Sequence, residues 1–164
     1  MTNEERQQIC KRLIELAGLL DYPTAEVANN SDLVLEDLES HYVRLFINNL
    51  GGVSAPPFAG CYIEQVDRLD FMSKFSGLCR GRGINIDSSY PPDYIPLMVE
   101  SLALMLSAGT DGSEIKPVIN EFYAHWPRPF AAALLKHDQT GLYAPVGDEI
   151  CRIIDNIPKS FSDN

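Results

Sequence analysis

The chain has 164 residues, 45% hydrophobic and 22% charged. That is the composition of one globular domain, 1–164, able to bury a core without disulfide or metal staples. Its formal charge of −10 at pH 7 excludes a general nucleic-acid binder, which needs a basic face to displace counterions. No run approaches the roughly 20 apolar residues that cross a bilayer. The polar start Met1-Thr2-Asn3-Glu4-Glu5 lacks the basic and apolar parts of a secretory signal. A cytoplasmic protein without stable membrane insertion is expected.

Thr2 and Glu5 have capping-box spacing, and Ile9, Leu13, Leu16, Ala17 and Leu20 recur at three and four, so 3–20 is predicted as an amphipathic helix. Tyr22-Pro23 stops it, with a short helical turn over 24–29. Ser31 is placed to cap a second helix that ends near Leu50, before Gly51-Gly52. Its buried stripe is Leu35, Leu38, Tyr42, Leu45 and Phe46. The segment 53–60 is a loop, and Tyr62, Val66, Leu69, Met72 and Phe75 mark a third helix reaching Cys79.

A second loop, 84–92, closes with Pro91-Pro92, and Asp93 stands where a helix cap belongs. From Ile95 to Ala108 the sequence is apolar on almost every face, which predicts a central buried helix ended by Gly109. A helix over 112–126 follows, with Pro117 as its kink or its true start. Pro127-Arg128-Pro129 reads as a break, followed by helices over Phe130–Lys136 and Val146–Ile157 and a tail, 158–164, that frays. No segment has the alternation of a strand. The fold class is therefore all-α, a single compact helical bundle with two Pro-rich loops.

Catalytic chemistry is hard to find. His41, His125 and His137 lie in no zinc-binding spacing, and there is no nucleophile elbow or P-loop. Cys10, Cys61, Cys79 and Cys151 form no C-x-x-C pair and read as small buried hydrophobes. No catalytic residue, metal or cofactor is expected. Two features stand out. The stretch from Leu13 to Val43 holds Glu15, Asp21, Glu26, Asp32, Glu36, Asp37 and Glu39 with no Lys or Arg. It is either a solvated face or a docking surface for a basic segment. The two Pro-rich loops, Ala55-Pro56-Pro57-Phe58 and Tyr90-Pro91-Pro92-Asp93-Tyr94, carry aromatics and a carboxylate. They are either helix punctuation or the walls of a peptide groove.

Four segments, in order, carry a family likeness. They are Leu16 to Pro23; Tyr42-Val43-Arg44-Leu45-Phe46 with the loop through Phe58; Tyr90 to Tyr94 leading into Met98 to Met105; and Phe122 through His125-Trp126-Pro127 to Phe130. Over about 9–157 the chain resembles the TorD/DmsD/NarJ family of redox-enzyme maturation chaperones. The resemblance implies a non-enzymatic, all-helical, cytoplasmic chaperone, monomeric or dimeric by helix exchange around 109–112. Its partner would be the catalytic subunit of a molybdenum oxidoreductase, bound through an N-terminal or twin-arginine signal peptide. By position it implies Pro91, Pro92, Asp93 and Tyr94 as peptide-binding residues, with Phe58, Tyr62, Glu121, His125 and Trp126 as further walls. Asp93 would meet a basic side chain. Tyr94 replaces a His common in the family, which keeps an aromatic hydrogen-bonding group but not a charge that switches near neutral pH. The alternative, without the resemblance, is an acidic helical adaptor or regulatory subunit binding a basic segment.

Overall fold

The computed structural model describes residues 1–64 and 66–161. They form an all-α bundle, and among the described residues there is no strand. Helix α1, Asn3–Leu19, starts with the predicted capping box: Glu5 N–H donates to Thr2 Oγ1 at 3.2 Å and Thr2 N–H to Glu5 Oε2 at 2.7 Å. Its buried stripe, Cys10, Leu13, Leu16 and Ala17, packs along the central helix α5, Ile95–Ser107. Met98, Val99, Leu102 and Leu106 of α5 are completely buried, as expected of a helix apolar on every face.

Several element ends differ from expectation. Ser31 closes the short helix α2, Ala25–Asn30; it does not open the next one. Helix α3, Leu35–Tyr42, begins later, behind Val34 and with no side-chain cap. It then widens into a π turn, Val43–Ile47, closed by Asn48 N–H on Val43 C=O at 2.8 Å. Helix α4 is Arg68–Gly81, not a run from Tyr62. Asp67 caps it, accepting from Leu69 N–H at 2.8 Å and Asp70 N–H at 3.3 Å, so the apolar spacing at 62, 66 and 69 crosses a loop. Phe71, Phe75 and Cys79 face inward, whereas Leu69 is 73% exposed.

The predicted helix over 112–126 is α6, Gly112–Val118, followed by a π turn, Ile119–Tyr123. Pro127 opens α7, Pro127–His137, and does not break the chain, because first-turn N–H groups have no intrahelical partner to lose. Helix α8 is Tyr143–Ser160 and packs along α7. It starts before Val146 because the Asp138 carboxylate, five residues upstream, accepts from Tyr143 N–H at 2.8 Å and Ala144 N–H at 2.9 Å. It also runs through Pro158, and the rest of the expected tail, 162–164, lies outside the described residues.

A clasp holds the 109–112 connection. Arg6 donates to Leu106 C=O at 3.1 Å and Thr110 C=O at 3.2 Å, and its guanidinium lies over the Phe161 ring at 5.7 Å. The Met1 amine donates to Ser160 C=O. Of the cysteines, Cys10 and Cys79 are buried as expected, but Cys61 is exposed. No helix among the described residues is long and apolar enough to cross a membrane.

Candidate functional site

The two Pro-rich loops, more than 30 residues apart in sequence, are joined in the structure. Ala59 N–H donates to Asp93 C=O at 2.8 Å and Ile95 N–H to Pro57 C=O at 2.9 Å, which makes one isolated antiparallel bridge between Phe58 and Tyr94. Beneath the bridge the Asp93 side chain is completely buried. Its Oδ2 accepts from Arg68 Nε at 2.6 Å and Gly60 N–H at 3.2 Å, and its Oδ1 from Arg68 Nη2 at 3.1 Å. A Cβ at Gly60 would stand 2.8 Å from Asp93 Oδ2, so only glycine fits there. The Arg68 guanidinium also covers the Phe58 ring at 5.2 Å. Asp93 is therefore not the cap of α5, whose first turn follows Tyr94 without a side-chain cap. The cation it meets is Arg68 of its own chain, and its work here is to weld the two loops.

Above this weld lies an aromatic cleft of about 370 Å³. Phe58 and Tyr94 form one wall, Tyr42, Phe46 and Ile47 another, and Tyr22, Val53, Pro56, Pro57 and Tyr90 complete it. Tyr90 stacks flat on Tyr94, with centroids 4.5 Å apart and planes at 8°. The phenols are oriented from below: Tyr42 donates to Leu20 C=O at 3.2 Å and Tyr94 to Asp21 Oδ1 at 3.1 Å.

Asp21 meets the cleft through the Tyr94 hydroxyl that it accepts from. Burial pushes its carboxyl above the ordinary aspartate range, partly opposed by the Tyr94 hydrogen bond. Glu100 on α5 is raised as well, first by burial and then by the charge of Asp21. Among the described residues neither carboxylate forms an ion pair. Most other acids of the stretch from Leu13 to Val43 have ordinary placements, although Asp32 takes a left-handed backbone with φ of 54°. Glu15 pairs with Arg12 at 2.9 Å, while Glu26, Glu36 and Asp37 stand in first turns, where the helix dipole favours them.

The residues singled out by sequence are divided among several places. Phe58 and Tyr94 line the cleft, with Asp93 below them and the exposed Pro91 beside them. Pro92 faces a neighbouring depression that also includes Arg80 and Asp87. Tyr62 and His125 line a separate depression of about 520 Å³ with Cys61, Ile63 and Pro129. The Tyr62 ring packs edge-on against Phe130 at 5.6 Å, and its hydroxyl is buried without a partner, which pushes its pKa up. Trp126 is completely buried, with Nε1 donating to Phe122 C=O at 2.9 Å, and is a core residue. Glu121 faces solvent. Sequence reasoning missed Tyr22, Val53 and Arg68, and assigned Tyr42 and Phe46 wholly to the core. The signals available were the exposed aromatic of Tyr22-Pro23 and the acidic stretch around it.

A family model, the nitrate reductase delta subunit, matches residues 3–136. The chain is also similar to a crystal structure of a candidate redox enzyme maturation protein from Archaeoglobus fulgidus. The TM-score is 0.65 and the identity 18%, over 94% of this chain and 96% of that one, a likeness that shows the shared fold. No curated protein matches in sequence. With the family model spanning most of the chain on an all-helical fold, the protein belongs to the nitrate reductase delta subunit family, one of the TorD/DmsD/NarJ redox-enzyme maturation chaperones.

Proposed function

We propose that the aromatic cleft binds the N-terminal region of a molybdenum-oxidoreductase catalytic subunit and holds that subunit in the cytoplasm while its cofactor is inserted. In an exported client this region would be a twin-arginine signal peptide. The observation that carries the reading is the convergence of the two Pro-rich loops into one apolar cleft, backed by Asp21, which accepts from the hydroxyl of the cleft residue Tyr94 and forms no ion pair among the described residues. A leader of this kind is basic and then apolar. Its basic part would meet Asp21 and Glu100, where a guanidinium can pair with a carboxylate and stack on a tyrosine. Its apolar part would bury against Phe58, Tyr94, Tyr42 and Phe46, and that burial supplies most of the holding energy. Pro91, Pro92 and Asp93 would hold the walls in place. The reading serves a monomer and a helix-exchanged dimer equally, since every cleft residue precedes the 109–112 connection.

The test is titration of the purified protein with a synthetic basic-then-apolar peptide. Tyr22 is 52% exposed, so Tyr22→Ala should leave the fold intact. It should raise Kd about tenfold, the scale of one lost aromatic contact. Added salt should slow association more than it speeds dissociation. A Tyr22→Ala protein that binds the peptide as tightly as the wild type would sink the proposal.

A further inference from the structure

From the last residue of the π turn after α3 to the first Pro-rich loop, the chain carries three apolar side chains at intervals of three: Ile47, Leu50 and Val53. The outer two line the cleft and are 55% and 38% exposed. Leu50 is 102% exposed, with its whole side chain in water. A single exposed leucine is ordinary. This one stands at the tip of a loop whose two feet belong to an apolar cleft.

The feet are fixed. Asn48 N–H donates to Val43 C=O and Ala55 N–H to Leu45 C=O, both at 2.8 Å, and Asn49 Nδ2 reaches Ser54 Oγ at 3.1 Å. The tip is different. Leu50 is followed by Gly51 and Gly52, with φ of 102° and 111°, a region that side chains other than glycine rarely enter. A Cβ at either glycine would meet no atom within 4 Å, so no packing demands glycine there and the backbone conformation alone does. The tip itself is closed by one turn hydrogen bond, Gly52 N–H on Asn49 C=O at 3.0 Å, and giving up that bond lets it rotate about its two glycines while the feet stay anchored.

We propose that Leu50 is a contact residue of the cleft that engages only when a ligand is present. Turning about Gly51 and Gly52, the tip lays Leu50 over the apolar part of the bound peptide. Ile47 and Val53 then form the sides and Leu50 the roof. The occupant is the apolar stretch of the leader, so this inference rests on the peptide reading above. The chemistry of the closing residue fits that occupant, because a roof made of one leucine rewards an apolar side chain beneath it and gives a charged one no partner.

A closing contact forms after encounter, so it should act on dissociation. Rapid-mixing kinetics with the same basic-then-apolar peptide provide the test. Leu50→Ala should dissociate about tenfold faster at unchanged association rate, the scale of losing part of one leucine's burial. Leu135→Ala on α7, another leucine that is 76% exposed, should leave both rates unchanged. Because Leu50 touches water on all sides, its truncation cannot unfold the chain. If Leu50→Ala releases the peptide at the wild-type rate, the roof is overturned while the cleft stands. If the wild type binds no such peptide, the cleft reading falls and the roof falls with it.

Discussion

Asp21 shows how one residue can weaken a fold and still orient a cleft wall, since it holds the Tyr94 hydroxyl. Its carboxyl is raised by burial, so the folded state holds the proton more tightly than the unfolded state does. For such a group the contribution to stability is full below the unfolded value and is lost as pH rises through the folded one. Asp21→Asn should therefore unfold at higher denaturant than the wild type at pH 7 and at the same denaturant in acid, while losing affinity for a basic peptide at pH 7. Urea melts at the two pH values with a parallel titration would check both halves. Phe58 and Tyr94, expected as groove walls from the family resemblance, both line the cleft, although Tyr94 is also a buried residue at the start of α5. Asp93 was legible as important but not in its role, since nothing near it in sequence announces Arg68, 25 residues away. Tyr42 and Phe46 sit on a helical stripe, and periodicity cannot tell a core wall from a cleft wall when one side chain serves as both.

At the scale of elements, the order and type of the helices follow from apolar spacing, and most of the errors lie at their ends. Local signals succeeded where cap and helix are neighbours, as at Thr2. They failed where the capping group is remote. Asp138 opens α8 from a distance, and its side chain also receives the Thr140 hydroxyl at 2.8 Å and faces the buried His41 Nε2 at 3.2 Å. Burial raises its carboxyl, but the hydrogen bonds from Ala144, Thr140 and Tyr143 outweigh that and leave it below the ordinary range. The sign is opposite to that of Asp21: this stability is present above the unfolded aspartate value and lost as pH falls through the folded one. Asp138→Asn keeps one acceptor oxygen of two, so it should cost about 1–2 kcal/mol at pH 7, in the range of a lost helix cap. The difference from wild type should vanish in strong acid. A loss that persists there would mean that packing and not charge sets the role of Asp138.

For the molecule as a whole, the bridge between Phe58 and Tyr94 ties the cleft to the centre of the bundle. Ile95, whose N–H holds the first loop, is also the opening residue of α5. Amides at Ala59 and Ile95 should exchange with solvent hydrogen only in the event that opens α5, not in a faster local one. Deuterium uptake resolved by residue would show a single slow class for 59, 95 and the α5 interior, and rapid uptake at 59 alone would refute it.

That one stitch has a consequence for how damage spreads. Loops that carry recognition usually fray before their scaffold, leaving a compact protein that has gone blind to its ligand. Here the bridge ties one aromatic wall to the central helix, so a weakened variant should divide into molecules with an intact cleft and molecules that have unfolded. A cell would experience its mutations as a change in how many folded copies survive, with the cleft of each survivor unchanged.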